Sequence, residues 1–493
     1  RTGSSRRNMP LRIAPGGIAG QGGTPGLWAR ARPGRAEQPV SQRKGVVVAT
    51  DTVAVVGAGL AGCECALRLA RSGVPVTLFE QKPAAMSPAH RSPDLAELVC
   101  SNSLRSNEPT SGVGLLKEEM RDLRSVFMEV ADATAVPAGK ALAVDRALFS
   151  RRMTERVEAE PGVALVRRRI RALDDPALEP FETVVLAAGP LASEGLSQSL
   201  AEAVGARHLY FYDAIAPIVA GDSVDMGIAF RGSRYAVPDA DGTSGDYLNC
   251  PMTREEYQAF YNALIVAEKV PAREFEKEIH FEGCMPIEAL AERGEKTLTF
   301  GPLKPVGFTD PRTGRRPWAL VQLRAEDRNG SMYNLVGCQT KLTYPEQERV
   351  FRRIPGLEGA EFVRFGSMHR NTYVNAPQVL ADDLRLRALP RVVLAGQITG
   401  VEGYVESAAC GLWAGILLAA RHAGAVVPPP PPETALGALL AHLRTPVKKF
   451  QPSNVHFGLM PELPERAGKK ERKAVYSRRA RDVFAAWRRQ AGM

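Results

Sequence analysis

Three glycines, Gly57, Gly59 and Gly62, stand in the spacing G-x-G-x-x-G directly after the apolar run Val53 to Val56 and directly before a helical stretch that runs to Ser72. Few local patterns restrict a chain so tightly. The first glycine makes a sharp turn, the second lets backbone approach a ligand, and the third lets helix pack on strand. Ala58, Leu60 and Ala61 fill the same turn with small or apolar side chains. A second apolar strand, Val74 to Glu80, then closes on an acid, where a carboxylate can accept hydrogen bonds from ribose hydroxyls. The helix N-terminus aims unpaired N–H groups at a pyrophosphate. Strand, turn, helix, strand and acid in this order predict a βαβ unit that holds a dinucleotide, with Gly57, Ala58, Gly59, Leu60, Ala61, Gly62 and Glu80 around it.

Two later strands, Thr183 to Ala188 and Arg391 to Ala395, end at Gly189 and Gly396. The second continues as Gly396-Gln397-Ile-Thr-Gly400-Val-Glu402-Gly403-Tyr404 into a helical pattern. A late glycine-rich strand end feeding a helix is how large FAD folds return to their cofactor. FAD is therefore expected in preference to NAD, with Gly396, Gln397, Gly400, Glu402 and Gly403 against it. The expected fold class is α/β: a Rossmann-type FAD-binding domain, discontinuous over 51–205 and 344–443, with an inserted α+β domain at 206–343 where the strands become short and mixed. The five prolines from Pro428 to Pro432 end the core. A basic helical tail follows over 444–493. Residues 1–50 are rich in Gly, Pro and Arg without apolar periodicity, and are expected as a disordered extension outside the fold.

The net charge of +10 points to nucleic acid only until its distribution is read. Residues 1–50 hold nine Lys/Arg against Glu37, and residues 445–493 hold twelve against four acids, so each end carries +8 and the middle −6. An RNA-binding surface must then come from local patches or from the tail. In that tail Val483, Phe484 and Trp487 form an apolar strip for docking on the body or, alternatively, part of a solvated end. Seven cysteines without framework or Cys-x-x-Cys spacing predict free thiols, no metal site and a reducing, cytoplasmic setting. No apolar run reaches the roughly 18 residues of a membrane span.

Five further segments carry a resemblance: Leu98-Val-Cys100-Ser-Asn-Ser-Leu-Arg105, Tyr247-Leu-Asn-Cys250-Pro-Met252, Gly283-Cys-Met-Pro-Ile-Glu288, Gly301-Pro-Leu-Lys304-Pro-Val-Gly307 and Met368-His-Arg-Asn-Thr-Tyr-Val-Asn375. Together they resemble the folate- and FAD-dependent tRNA (uracil-5-)-methyltransferases, the TrmFO family, in family order from about Thr52 to past Pro461. The related GidA (MnmG) flavoproteins share Gly62-Cys63-Glu64 but are longer, with a large helical C-terminal region that this sequence lacks. The resemblance implies transfer of a one-carbon unit from 5,10-methylenetetrahydrofolate to C5 of a T-loop uridine in tRNA. FAD, reduced by NADH or NADPH, would supply the electrons.

Uracil C5 is a poor nucleophile until a thiolate adds at C6 and gives it enolate character. Cys250 and Cys100 match the family's two functional cysteines. Cys250, in the polar and turn-like stretch Asp246 to Pro251, is expected to be exposed and to attack C6. Cys100 is assigned to acid/base or methylene handling, and the two roles can be exchanged. Cys63, Cys65, Cys284, Cys338 and Cys410 are expected in the core. Arg105 and Lys304 are candidates for a folate glutamate or a tRNA phosphate, or are solvated charges. His369 and Arg370, near Asn371, are candidates for the flavin pocket or are structural. Tyr247 and Tyr257 are candidates to stack on a flipped uridine, or pack in the core. Two alternatives stay open: a GidA-like modifier of wobble uridine, and a flavin-containing tRNA-binding or folding factor. The protein is expected to be a monomer or weak oligomer.

Overall fold

The apolar run Val53–Val56 is buried at every residue, as a strand covered by helices on both faces must be. It is the middle of a five-stranded parallel sheet in the order Val392–Leu394, Thr183–Leu186, Val53–Val56, Val76–Glu80, Val163–Arg167. Val53 lies opposite Thr183 on one side and Val76 on the other. Strand order reverses at this central strand, and ligands of open α/β sheets bind outside the carboxyl ends of strands at such a point. The glycine turn begins there. Described by the computed structural model are residues 52–205, 209–234, 245–271, 285–464, 468 and 471–493. The extension read over residues 1–50 lies outside them, as does Cys284.

The helix Leu60–Arg71 follows the turn, and the long helix Tyr404–His422 packs directly across it. A methyl group at Gly411 would stand 2.2 Å from the Ala61 carbonyl oxygen, so the two helices meet backbone to backbone. Their approach brings Tyr404 to the glycine turn. Glu64 leaves the first helix to accept hydrogen bonds from the N–H groups of Val126 (3.1 Å) and Phe127 (2.7 Å), at the start of the helix Val126–Ala133. Burial pushes its carboxyl up to about 7, against the pull of those hydrogen bonds. Glu64→Ala strands two buried donors, so urea denaturation should show a loss of roughly 2 kcal/mol or more. An unchanged midpoint would reject Glu64 as an anchor.

A second sheet is antiparallel, with strands ordered Phe230–Gly232, Tyr247–Met252, Ala319–Ala325, Met332–Leu335, Ile218–Ala220, Phe362–Arg364. It covers a separate apolar core that includes Leu248, Met252, Phe260, Val321 and Leu323. Val350 and Phe351 belong to that core as well. The helix Tyr344–Phe351 and the strand Phe362–Arg364 therefore extend the inserted layer beyond residue 343, where the sequence reading ended it. The chain leaves and returns through an antiparallel ribbon, Leu209–Ala214 with Met368–Tyr373.

The C-terminal helix Arg472–Gln490 buries Tyr476, Phe484 and Trp487. Trp487 donates through Nε1 to the Pro428 carbonyl oxygen at 3.0 Å, and Arg481 pairs with Glu118 at 2.7 Å. The tail is docked, with Val483 half-buried at its edge. Among the described residues no helix is long and apolar enough to cross a membrane.

Candidate active site

Gly57 has φ +99°, and a methyl group there would meet the Ala187 carbonyl oxygen at 2.6 Å. One at Gly62 would stand 1.8 Å from the Gly57 carbonyl oxygen, while one at Gly59 would have no protein atom within 4 Å. Two glycines thus hold the turn closed, and the middle one leaves open space above it. No side chain caps the helix that starts at Leu60, so its first N–H groups stay available to an anion. Glu80 is buried, accepting the Ala58 N–H at 2.9 Å on one oxygen and the Lys82 N–H at 2.8 Å on the other. Each oxygen keeps a lone pair for a ribose hydroxyl.

These residues line a largely apolar cleft, with Gly57, Ala58, Gly59, Leu60, Ala61 and Glu80 on one side and Gly396, Gln397 and Tyr404 on another. An open approach at Gly59, an uncapped helix end and a fixed carboxylate fit the pyrophosphate and ribose of FAD. The remaining predicted residues do not line the cleft. Gly62 is spent on packing, and Gly400 lies against the Phe450 ring. Glu402 is buried and accepts from Gln397 Nε2 at 2.7 Å. Gly403 precedes the first residue of the helix Tyr404–His422. Sequence reasoning missed the stretch Ala187 to Ser193 and the pair Ser87 and His90, joined at 2.6 Å, which also line the cleft. The Gly189-Pro190 strand end was the available signal for the former; none marked the latter.

Cys100 stands half-buried next to this cleft, and Tyr404 connects the two. The Tyr404 hydroxyl accepts the Cys100 N–H at 2.7 Å and the Ser101 N–H at 3.3 Å, and lies 2.9 Å from the Cys100 sulfur. With both lone pairs of the phenol engaged, its own hydrogen is left to donate to the sulfur. Burial, and then the neighbouring Cys100, holds the phenol well above its usual range.

Two guanidinium groups support the loop from behind, Arg324 buried and Arg146 half-buried. Arg146 donates to the Leu98 carbonyl oxygen and to Glu326, each at 2.8 Å. Burial opposes its charge, but Glu326, Tyr404 and Cys100 outweigh that effect and raise it. Arg324 donates to Asn102 Oδ1 and Ser101 Oγ, each at 2.7 Å, and burial lowers its pKa. Neither arginine stood out in the sequence. A hydroxyl donor and nearby positive charge favour an anionic sulfur.

Cys250 departs from expectation. It is not in an exposed turn but inside the strand Tyr247–Met252, 0% exposed and opposite Val321. Leu248, Cys250 and Met252 alternate into the apolar core, a period of two that Asp246 and Asn249 obscured. Burial, and then Glu358, pushes its thiol up to about 12. Tyr247 pairs with Arg324 on the other face of the same ladder. The strand pair therefore carries both thiol environments, offset by three residues or about 10 Å along the strand.

The remaining candidates separate clearly. Arg105 ion-pairs at 2.8 Å with Glu406, which is fully buried. Tyr257 is 1% exposed and bonds to the Glu295 carbonyl, so it packs in the core and cannot stack on a base. Tyr247 is half-buried, its hydroxyl donating to the Ala138 carbonyl oxygen at 3.0 Å. Asn371 is buried, whereas the side chains of His369 and Arg370 lie outside the described residues. Cys63, Cys65, Cys338 and Cys410 are buried, and burial raises all four thiols. Lys304 lines a groove on the inserted domain. Among the described residues no group of three or more His, Cys, Asp or Glu is placed to hold a metal ion.

Fold and site define a dinucleotide-binding flavoprotein. Residues 52–425 match the family model described as glucose inhibited division protein A. The solved structure of GidA from Aquifex aeolicus superposes with a TM-score of 0.63 at 16% identity, over 90% of this chain and 74% of that one. Relatives named methylenetetrahydrofolate–tRNA-(uracil-5-)-methyltransferase TrmFO include those of Nitratidesulfovibrio vulgaris strain DP4 and Oleidesulfovibrio alaskensis. The first is 71% identical over 90% of this chain and 91% of its own; the second is 68% identical over 90% and 98%. That of Geobacter sulfurreducens is 57% identical over 89% and 99%. The chain belongs to the TrmFO family.

Proposed function

We propose that this protein, a folate- and FAD-dependent tRNA uracil-5-methyltransferase, builds its methyl group on a uridine of the T loop and draws its electrons from NADH or NADPH. The relatives' name supports the reaction class. The observation that carries the reading within this chain is the Cys100–Tyr404 pair beside a cleft shaped for FAD. Gly57 to Ala61 and Glu80 would hold the ADP half, with Gly396, Gln397 and Tyr404 across the cleft. Once bound and reduced, FAD supplies the two electrons that turn a transferred methylene into a methyl group.

The chain itself must activate uracil. A thiolate adds to C6, C5 attacks the methylene carbon of the folate, and loss of the C5 proton expels the folate nitrogen to leave an exocyclic methylene. A hydride added to that carbon, with the two electrons that reduced FAD would supply, makes the methyl group and expels the sulfur as the ring double bond re-forms. Removal of the C5 proton is assigned to Cys100, whose sulfur lies 2.9 Å from the Tyr404 hydroxyl at the edge of the cleft. Cys250 is then the sulfur that adds to C6. Burial pushes its thiol up to about 12, so this role requires that the sulfur become accessible to the base. Two observations favour the exchanged assignment: Cys100 touches Tyr404, which lines the cleft, and Cys250 is fully buried.

The test supplies purified yellow protein with unmodified tRNA, NADPH and carbon-labelled methylenetetrahydrofolate, and maps the label. Label at C5 of the T-loop uridine is expected. Label at the wobble uridine would favour the GidA-like reaction, and no label at all would reject methyl transfer in favour of a tRNA-binding factor.

A further inference from the structure

The far end of the inserted sheet carries a second concave surface that the chemistry above does not use. A groove of about 990 Å³ is lined by six cations: Arg254, Lys296, Lys304, Arg312, Arg315 and Arg316. The one carboxylate in its lining, Asp310, is buried and already claimed by Arg312 at 3.0 and 3.2 Å. Among the described residues none of the other five cations forms an ion pair. All but Lys304 are exposed. Such an excess of one sign is unusual here, because the chain between its two basic ends is net acidic.

Two aromatic rings share the groove. Phe300 is 78% exposed and Trp318 40% exposed, with the Arg254 guanidinium 5.3 Å from the Trp318 ring centroid. Exposed rings among unpaired cations suit a polyanion that also has flat faces to stack, which is a description of RNA. An acidic protein surface would leave the rings unmatched.

Position supports the same partner. Trp318 precedes the strand Ala319–Ala325, whose other end carries Arg324, bonded to Ser101 and Asn102 beside Cys100. Seven residues of strand span about 20 Å. With a base held at Cys100, backbone several nucleotides away along the tRNA can therefore reach the groove.

We infer that this groove is an RNA-docking surface that grips the tRNA backbone outside the reacting loop. The inference rests on the proposed reaction, in which tRNA is the substrate. It assigns Arg315, Arg316 and Lys296 to phosphate contacts, and Phe300 and Trp318 to stacking on bases or riboses.

The experiment compares the full chain with its Lys296→Ala/Arg315→Ala/Arg316→Ala variant and with Arg315→Lys/Arg316→Lys. Flavin content and melting temperature control for folding, since all three positions are exposed. In methyl transfer the triple alanine variant should raise KM for tRNA at least tenfold while kcat falls less than twofold. Its salt dependence of tRNA binding should weaken by about two to three counterions, at roughly 0.9 per phosphate contact. The lysine variant should stay within threefold of wild type on both measures. Wild-type KM and salt slope in the triple alanine variant would overturn the inference. So would a raised KM for polyglutamylated folate with that for tRNA unchanged, which would make the groove a seat for the folate tail. Loss of binding to an acidic protein or to anionic vesicles with tRNA binding intact would likewise reject RNA as the occupant. Wild-type protein that neither binds nor methylates tRNA would instead remove the reaction, and this assignment with it.

Discussion

With 5-fluorouridine at the T-loop position, wild-type protein and Cys100→Ala should each form a protein–RNA adduct that survives denaturing electrophoresis, and Cys250→Ala should form none. Fluorine at C5 cannot leave as a proton, so a sulfur that has added to C6 stays attached. Both variants should lose methyl transfer to normal tRNA by roughly a thousandfold, the middle of the range expected for an acid/base group and a lower bound for a nucleophile. The two losses have different causes: Cys250→Ala never activates the ring, whereas Cys100→Ala activates it but cannot clear the C5 proton. The opposite adduct pattern would exchange the roles, as the burial of Cys250 at 0% exposure favours. Retained adduct in both variants would remove both thiols from C6. Cys250→Ala has a structural cost as well, because the sulfur fills part of the inserted core. A Cys250→Ser variant, near in size, separates lost chemistry from lost packing.

The second large effect concerns the turn. Gly59→Ala should leave the flavin-free protein as stable as wild type, because its methyl group meets no protein atom within 4 Å and its φ of −76° suits any residue. It should nonetheless weaken FAD binding at least tenfold, or about 1.4 kcal/mol, since that space is where a pyrophosphate approaches. Gly62→Ala should fail differently. Its methyl group would stand 1.8 Å from the Gly57 carbonyl oxygen, an overlap of backbone with side chain that only opening the turn relieves. Flavin should be lost and the melting temperature of the apoprotein should fall. Flavin absorbance after gel filtration, with melting of the stripped proteins, distinguishes the two. Full flavin occupancy and wild-type affinity in Gly59→Ala would reject the cofactor placement.

Much of the glycine turn and its cleft was readable because its requirements are local. Gly57, Gly59, Gly62 and Glu80 are fixed by spacing along one strand–turn–helix–strand unit, and the turn has few other solutions. The late segment from Gly396 was readable for the same reason, although only Gly396 and Gln397 line the cleft while Gly400, Glu402 and Gly403 support it. The inserted layer was legible as a change in strand texture, but its far edge was not. Whether the helix Tyr344–Phe351 packs on one core or the other depends on which partner its apolar face meets, and both choices present the same pattern.

By itself, then, the sequence determined a glycine turn between strand and helix, an acid at the end of the second strand and a pair of motif cysteines. The tertiary structure decided what surrounds those cysteines. Tyr404 reaches Cys100 across 304 positions of chain, and Arg324 reaches Ser101 across 223. Asp246 and Asn249 made the surroundings of Cys250 look exposed, yet strand pairing with Val321 turns that thiol into the core. A spacing rule works where neighbours in sequence are neighbours in space; the protonation and access of a thiol depend on groups that only folding brings together.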